Sequence, residues 1–129
     1  MLDACGRTTL QEFAGVIAEA QLVVTNDSST VHLAAALDRP AVAILGGGHF
    51  GRFLPYPEAA GAASRHIHAV YHSMTCYHCS WHCIYPLQPD DPAVCVTAVT
   101  IEDVWSTVKS MLDLKSGAAV QRVIPETLA

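Results

Sequence analysis

The chain has 129 residues, 51% of them hydrophobic and only 15% charged; that balance suits one globular domain with a modest core and excludes intrinsic disorder. The formal net charge is −5, and the seven Lys and Arg residues form no run, which excludes a nucleic-acid backbone as the main partner, because neutralising phosphates needs clustered cations. No apolar window reaches the roughly 20 residues of a membrane span, and "MLDACGRTTL" lacks the charged-then-apolar order of an export signal, so the expected compartment is cytoplasmic.

The first element opens with "TTLQEFAGVIAEA". Thr8 or Thr9 can cap it, with Gln11 or Glu12 as the reciprocal half of a capping box. Leu10, Phe13, Ala14 and Ile17 recur at helical spacing, which predicts a helix over 9–20. "LVVT" (22–25) reads as a short apolar strand. A second helix is expected from 29 to Leu37, stopped by Asp38-Arg39-Pro40. "AVAIL" (41–45) is another buried strand, ended by Gly46-Gly47-Gly48, a run that matches no phosphate-loop pattern.

"RHIHAVYH" (65–72) alternates polar and apolar and gives a third strand, with His66, His68 and His72 on one surface face. The last helix begins in "VTIEDVWSTVKSML". Thr100 is its N-cap, and Asp103 lies in the first turn, where the dipole favours an anion. Val99 and Val104 occupy the positions of a hydrophobic staple. Ile101, Val104, Trp105, Val108, Met111 and Leu112 form the expected buried stripe. Residues 1–115 thus read as one partial domain, with a cysteine-rich loop inserted at 74–96 and a loose tail over 116–129.

Alternating helices and apolar strands predict an α/β fold, a Rossmann-like parallel sheet with flanking helices. The sheet is incomplete, since such sheets usually hold about five or six strands. A sheet this narrow leaves an open edge. Part of a larger architecture, or a second copy of the chain, is the expected cover.

The stretch "NDSST" (26–30) lies between the first strand and the second helix. In open α/β sheets, ligands bind beyond the carboxyl ends of the strands. A helix N-terminus offers free N–H groups and a partial positive charge, which suits a phosphate or diphosphate. Ser28, Ser29 and Thr30 add hydroxyl donors, and His32 in the first turn leans back toward the same anion. Asp27 has the wrong sign for a phosphate; it would cap the helix or accept hydrogen bonds from sugar hydroxyls. The same residue types also serve as ordinary caps.

"GRTTLQEFAGVIAEAQLVVTNDSSTVHLAAALDRPAVAILGG" resembles the donor-binding half of glycosyltransferase family nine, the heptosyltransferase-like enzymes. Those share a "G-x-T-S-L-x-E-L-A" helix start followed by "NDSGPxHLAAALGxPVVALFG". The likeness covers 6 to about 56, continues through the cysteine-rich stretch and ends at "TIEDVW". The resemblance implies the GT-B architecture of two facing Rossmann-like domains, this chain corresponding to the C-terminal half. That half holds a nucleotide-diphosphate sugar, an ADP-heptose-like donor in the best-known relatives, and needs no metal for transfer. By position in the motif, Asp27, Ser28, Ser29 and His32 would contact the donor, and Thr8 would lie near the nucleotide base. In "GGGHFGRFLPYP", His49, Arg52 and Tyr56 fall in the family's loop after the second strand. Arg52 is the best placed to offset diphosphate charge, whereas His49 reads as solvated.

Ser29 replaces the family's usual glycine, and its Cβ would crowd a backbone approach to phosphate. The family's catalytic base, acceptor groove and a donor-binding lysine have no counterpart here, so the isolated chain is expected to be inactive and to need the missing N-terminal acceptor domain or a second copy.

"CYHCSWHCIYPLQPDDPAVC" spaces Cys76, Cys79, Cys83 and Cys95 as C-x2-C-x3-C-x11-C. Four thiolates fit a closed, structural zinc or iron site, with His78 and His82 as substitute ligands. Disulfides are disfavoured without an export signal. A redox pair of Cys76 and Cys79 lacks the usual strand-to-helix setting. Cys5 reads as inert. Two rival readings of the whole remain: a stand-alone nucleotide-binding module, and a metal-stapled protein-interaction domain.

Overall fold

A computed structural model describes residues 1–57, 60–61, 65–88 and 90–116. Three parallel strands, β1 (Val23–Asn26), β2 (Ala41–Ile44) and β3 (Ile67–Val70), form a sheet in the order β1-β2-β3. Val23 pairs with Ala41 and Ala41 with Ile67, and both ladders run in step to Asn26, Ile44 and Val70. The carboxyl ends of all three strands therefore lie at one edge of the sheet.

Helix α1 (Leu10–Glu19) begins at Thr9, not Thr8. Thr9 N–H donates to Glu12 Oε2 at 2.8 Å, and Glu12 N–H donates to Thr9 Oγ1 at 3.3 Å. These reciprocal bonds satisfy two donors the first turn would leave open. Helix α2 (Ser29–Ala36) closes before Pro40 is reached. Arg39 N–H reaches Ala34 O at 2.8 Å and Asp38 N–H reaches Ala35 O at 3.2 Å, with Asp38 in the left-handed region at φ 54°. That is a Schellman end, with aspartate where glycine is usual.

Helices α1 and α2 cover one face of the sheet. Ile17, Val31, Ala34, Ala41, Ala43, Leu45 and Leu54 form the buried cluster there. On the other face Val42 and Val70 meet Val108 and Met111 of α4 (Ile101–Ser116). Because successive residues of β2 point to opposite faces, Ala41, Val42 and Ala43 are all fully buried. This is why β2 reads as an unbroken apolar run.

Thr100 and Asp103 form a second reciprocal pair at the start of α4: Thr100 N–H donates to Asp103 Oδ2 at 2.9 Å, and Asp103 N–H donates to Thr100 Oγ1 at 3.1 Å. Val99 and Val104 pack together with that core, as a staple requires. The expected stripe is too wide, however. Ile101 is 89% exposed and Trp105 50% exposed. With Val24 and Ile44 they line an open apolar groove of about 390 Å³ beside β1, the strand that has no neighbour on its outer side among the described residues.

One further helix, α3 (Val94–Thr97), was not foreseen; it carries Cys95 inward. Helix α4 runs through Ser116, and the expected tail beyond it lies outside the described residues. Among the described residues no helix is long and apolar enough to cross a membrane.

Candidate functional site

The turn 27–28 joins β1 to α2 at the carboxyl edge of the sheet. Asp27 N–H donates to Ile44 O at 3.2 Å, which continues the β1–β2 ladder one residue past the strand. Ser28, not Asp27, is the N-cap of α2, and its hydroxyl makes no capping bond to the helix. Thr25 Oγ1 donates to Asn26 O at 3.2 Å, and Ser28 Oγ lies 3.2 Å from Thr25 Oγ1. With the Thr25 proton committed, Ser28 is the donor of that pair. The N–H groups of Ser29 and Thr30 make no hydrogen bond among the described residues. The start of α2 thus keeps the open donors and positive pole expected of an anion seat.

Residues from beyond β2 close over this turn. Leu54 is buried in the same cluster as Val31, and Gly51 N–H to Leu54 O at 2.7 Å closes the loop between them. The two core residues bring their neighbours together: Tyr56 OH lies 2.5 Å from His32 Nδ1, with the rings edge to face at 5.7 Å. Burial, helped by the negative charge of Asp27, pushes the Tyr56 phenol above its usual range. Asp27 itself is half-buried, and its carboxylate makes no hydrogen bond or ion pair among the described residues.

The remaining residues expected at the donor are less closely joined. Thr8 is half-buried beside the capping Thr9. Arg52 is exposed, its guanidinium 5.1 Å from the centre of the Phe53 ring. No hydrogen bond or ring contact links either residue to 27–32 among the described residues. His66 pairs with Asp38 at 3.7 Å on the surface, as its place on the outer face suggested.

The cysteine-rich stretch rests on the glycine run that ends β2. His78 N–H donates to Gly47 O at 2.9 Å, Ser80 N–H to Gly48 O at 3.0 Å, and Gly47 N–H to Cys95 Sγ at 3.3 Å. A Cβ on Gly46 would sit 2.6 Å from Trp81 Cη2; one on Gly47 would strike Tyr77, and one on Gly48 would strike Trp81. All three glycines are therefore a docking floor, a role signalled only by three consecutive residues without side chains.

Cys76, Cys79, Cys83 and Cys95 line one cavity of about 380 Å³, together with Trp81, Tyr85 and Asp91. Cys95 is buried, the other three are half-buried, and all are free thiols. Around Cys79 the backbone is left-handed at His78, Ser80 and Trp81, a conformation uncommon without glycine. Burial, with Cys95 and Cys76 nearby, pushes the Tyr77 phenol upward. The donor chemistry suits a soft metal, although as arranged no three His, Cys, Asp or Glu side chains among the described residues form a metal-binding group.

The model of glycosyltransferase family 9 (heptosyltransferase) matches residues 1–82. The chain belongs to this family. Over 44 residues it is 51% identical to lipopolysaccharide heptosyltransferase 2 of Salmonella typhimurium, a stretch covering 34% of this chain and 13% of that protein. Over 45 residues it is 44% identical to lipooligosaccharide heptosyltransferase 2 of Haemophilus influenzae, covering 35% of this chain and 13% of the relative. The Escherichia coli lipopolysaccharide heptosyltransferase 2 is 49% identical over 44 residues, with the same shares as the Salmonella protein. The chain thus matches only a small part of each relative's length. No solved structure matches it. The family 9 match includes the polar turn, Tyr56, Cys76 and Cys79, and stops before Cys83 and Cys95.

Proposed function

We propose that the chain is the donor-binding part of a heptosyltransferase-like enzyme of GT-B type, seating a nucleotide-diphosphate sugar at the start of α2. The observation that carries this reading is the polar turn at the strands' carboxyl edge, where the Ser29 and Thr30 N–H groups make no hydrogen bond among the described residues. Those donors would hold the diphosphate. Asp27, half-buried and making no hydrogen bond or ion pair among the described residues, would accept from sugar hydroxyls. His32 would offset charge on the departing nucleotide diphosphate. Thr8 and Arg52 would contribute at the base and the outer phosphate. The complete enzyme would transfer the sugar to a glycan or lipid-linked acceptor in the cytoplasm, with catalytic base and acceptor groove supplied by a further domain.

The four cysteines would hold a structural zinc or iron that ties the segment 76–95 to the sheet and takes no part in transfer. Binding would draw the three half-buried thiols toward Cys95, across the cavity they already share.

Calorimetric titration of the chain with ADP, UDP and GDP and with their sugars tests the donor reading. At least one nucleotide diphosphate is expected to bind, and Asp27→Asn should weaken the sugar form more than the free diphosphate. Absence of heat with every nucleotide would overturn the reading in favour of an interaction domain.

A further inference from the structure

The contact between Tyr56 and His32 fixes more than the position of the two rings. Tyr56 OH and His32 Nδ1 are 2.5 Å apart, so one of them donates. The Tyr56 phenol is partly buried and near the Asp27 carboxylate, and both features keep its proton in place at neutral pH. A protonated phenol with no other acceptor among the described residues donates to Nδ1. A neutral imidazole that accepts at Nδ1 carries its own proton on Nε2. Nε2 has no partner among the described residues, and His32 belongs to the first turn of α2, the turn that opens with Ser29 and Thr30, whose N–H groups make no hydrogen bond among the described residues.

We propose that Tyr56 is a positioning residue that holds His32 in the Nε2–H tautomer, making the imidazole a neutral donor to a diphosphate at the start of α2. This rests on the donor-site reading above. The loop after β2 then acts on the ligand through His32 as well as through its own charged Arg52. A neutral donor adds no charge of its own, so the hydrogen bond forms without the cost of burying an imidazolium.

Nitrogen-15 correlation spectra of the imidazoles in the full chain, with His32 assigned by its loss in His32→Gln, test the tautomer without any ligand. Unmodified chain should show His32 protonated at Nε2, and Tyr56→Phe should release a mixture of tautomers. Protonation at Nδ1, or spectra unchanged by Tyr56→Phe, would overturn the proposal. Titration with ADP then tests the consequence. The Nε2 resonance should move on binding, and Tyr56→Phe should weaken ADP roughly two- to tenfold, the worth of one neutral hydrogen bond. In a His32→Gln background Tyr56→Phe should cost nothing more; an equal loss there would overturn the positioning role. A locked tautomer together with no response to ADP would instead refute the donor site and Tyr56's part in it, leaving only the lock.

Discussion

The backbone N–H of Gly47 donates to Cys95 Sγ at 3.3 Å, joining the end of β2 to a helix 48 residues later. That bond needs the α3 segment to lie against bare backbone, and the flanking glycines allow the same approach for Trp81. Gly48→Ala should therefore push Trp81 outward and cost about 1–3 kcal/mol, the usual penalty of overpacking. Gly15→Ala is the matched control: it sits in α1 with open space around the added methyl, and should stabilise by roughly 0.5–1 kcal/mol. Urea unfolding followed by tryptophan fluorescence reads both; equal effects would refute the docking role of the glycine run.

A structural metal changes the reactivity of the thiols. With an ion bound, Cys76, Cys79, Cys83 and Cys95 should resist labelling while exposed Cys5 reacts at once. Elemental analysis should find about one zinc or iron per chain, lost in Cys83→Ser as well as in Cys95→Ser. Five reactive thiols and no metal would refute the stapling reading. The half-buried Cys83 is the more telling variant, because its substitution leaves the buried Cys95 bond intact.

The two capping boxes make stability depend on acid. Hydrogen bonds from the Thr9 backbone and side chain hold Glu12 below its usual carboxyl range, and the side chain and backbone of Thr100 do the same for Asp103. A folded pKa below the unfolded one stabilises the fold above the unfolded value, and the benefit fades as pH falls through the folded value. Loss is expected to set in below about pH 5, where free carboxyls begin to protonate. Thr100→Ala should lower stability at pH 6 and flatten its decline between pH 5 and 3, as read by thermal melts. A decline unchanged in slope would mean that Asp103 does not carry it.

Much of the fold was legible because local signals and burial agreed. The apolar runs 22–25 and 41–45 read as strands and appear at 23–26 and 41–44, the second covered on both faces and the first left open at Val24. The third strand carries a weaker apolar signal because His66 and His68 interrupt it, and Val70 is its one buried residue. The polar turn was visible as a cluster with too many hydroxyls for one cap. Tyr56 was not assigned its partner, since contact with His32 depends on Leu54 and Val31 sharing a core cluster across 23 positions of sequence. Nothing in "VCVT" announces α3, a four-residue helix too short to show a period.

The stripe on α4 shows the limit of periodicity most plainly. Spacing places Ile101 and Trp105 on the side that faces the sheet, but β1 ends the sheet there and no further strand lies beneath them among the described residues. Burial instead falls on Val108 and Met111, which pack on Val42 and Val70. Met111→Ala should therefore cost about 2–5 kcal/mol, whereas Ile101→Ser should stay within roughly 0.5 kcal/mol. Urea denaturation of the two variants decides the matter. A large loss in Ile101→Ser would mean that the groove beside β1 is covered in solution, and light scattering of the same sample would then show whether a second copy covers it.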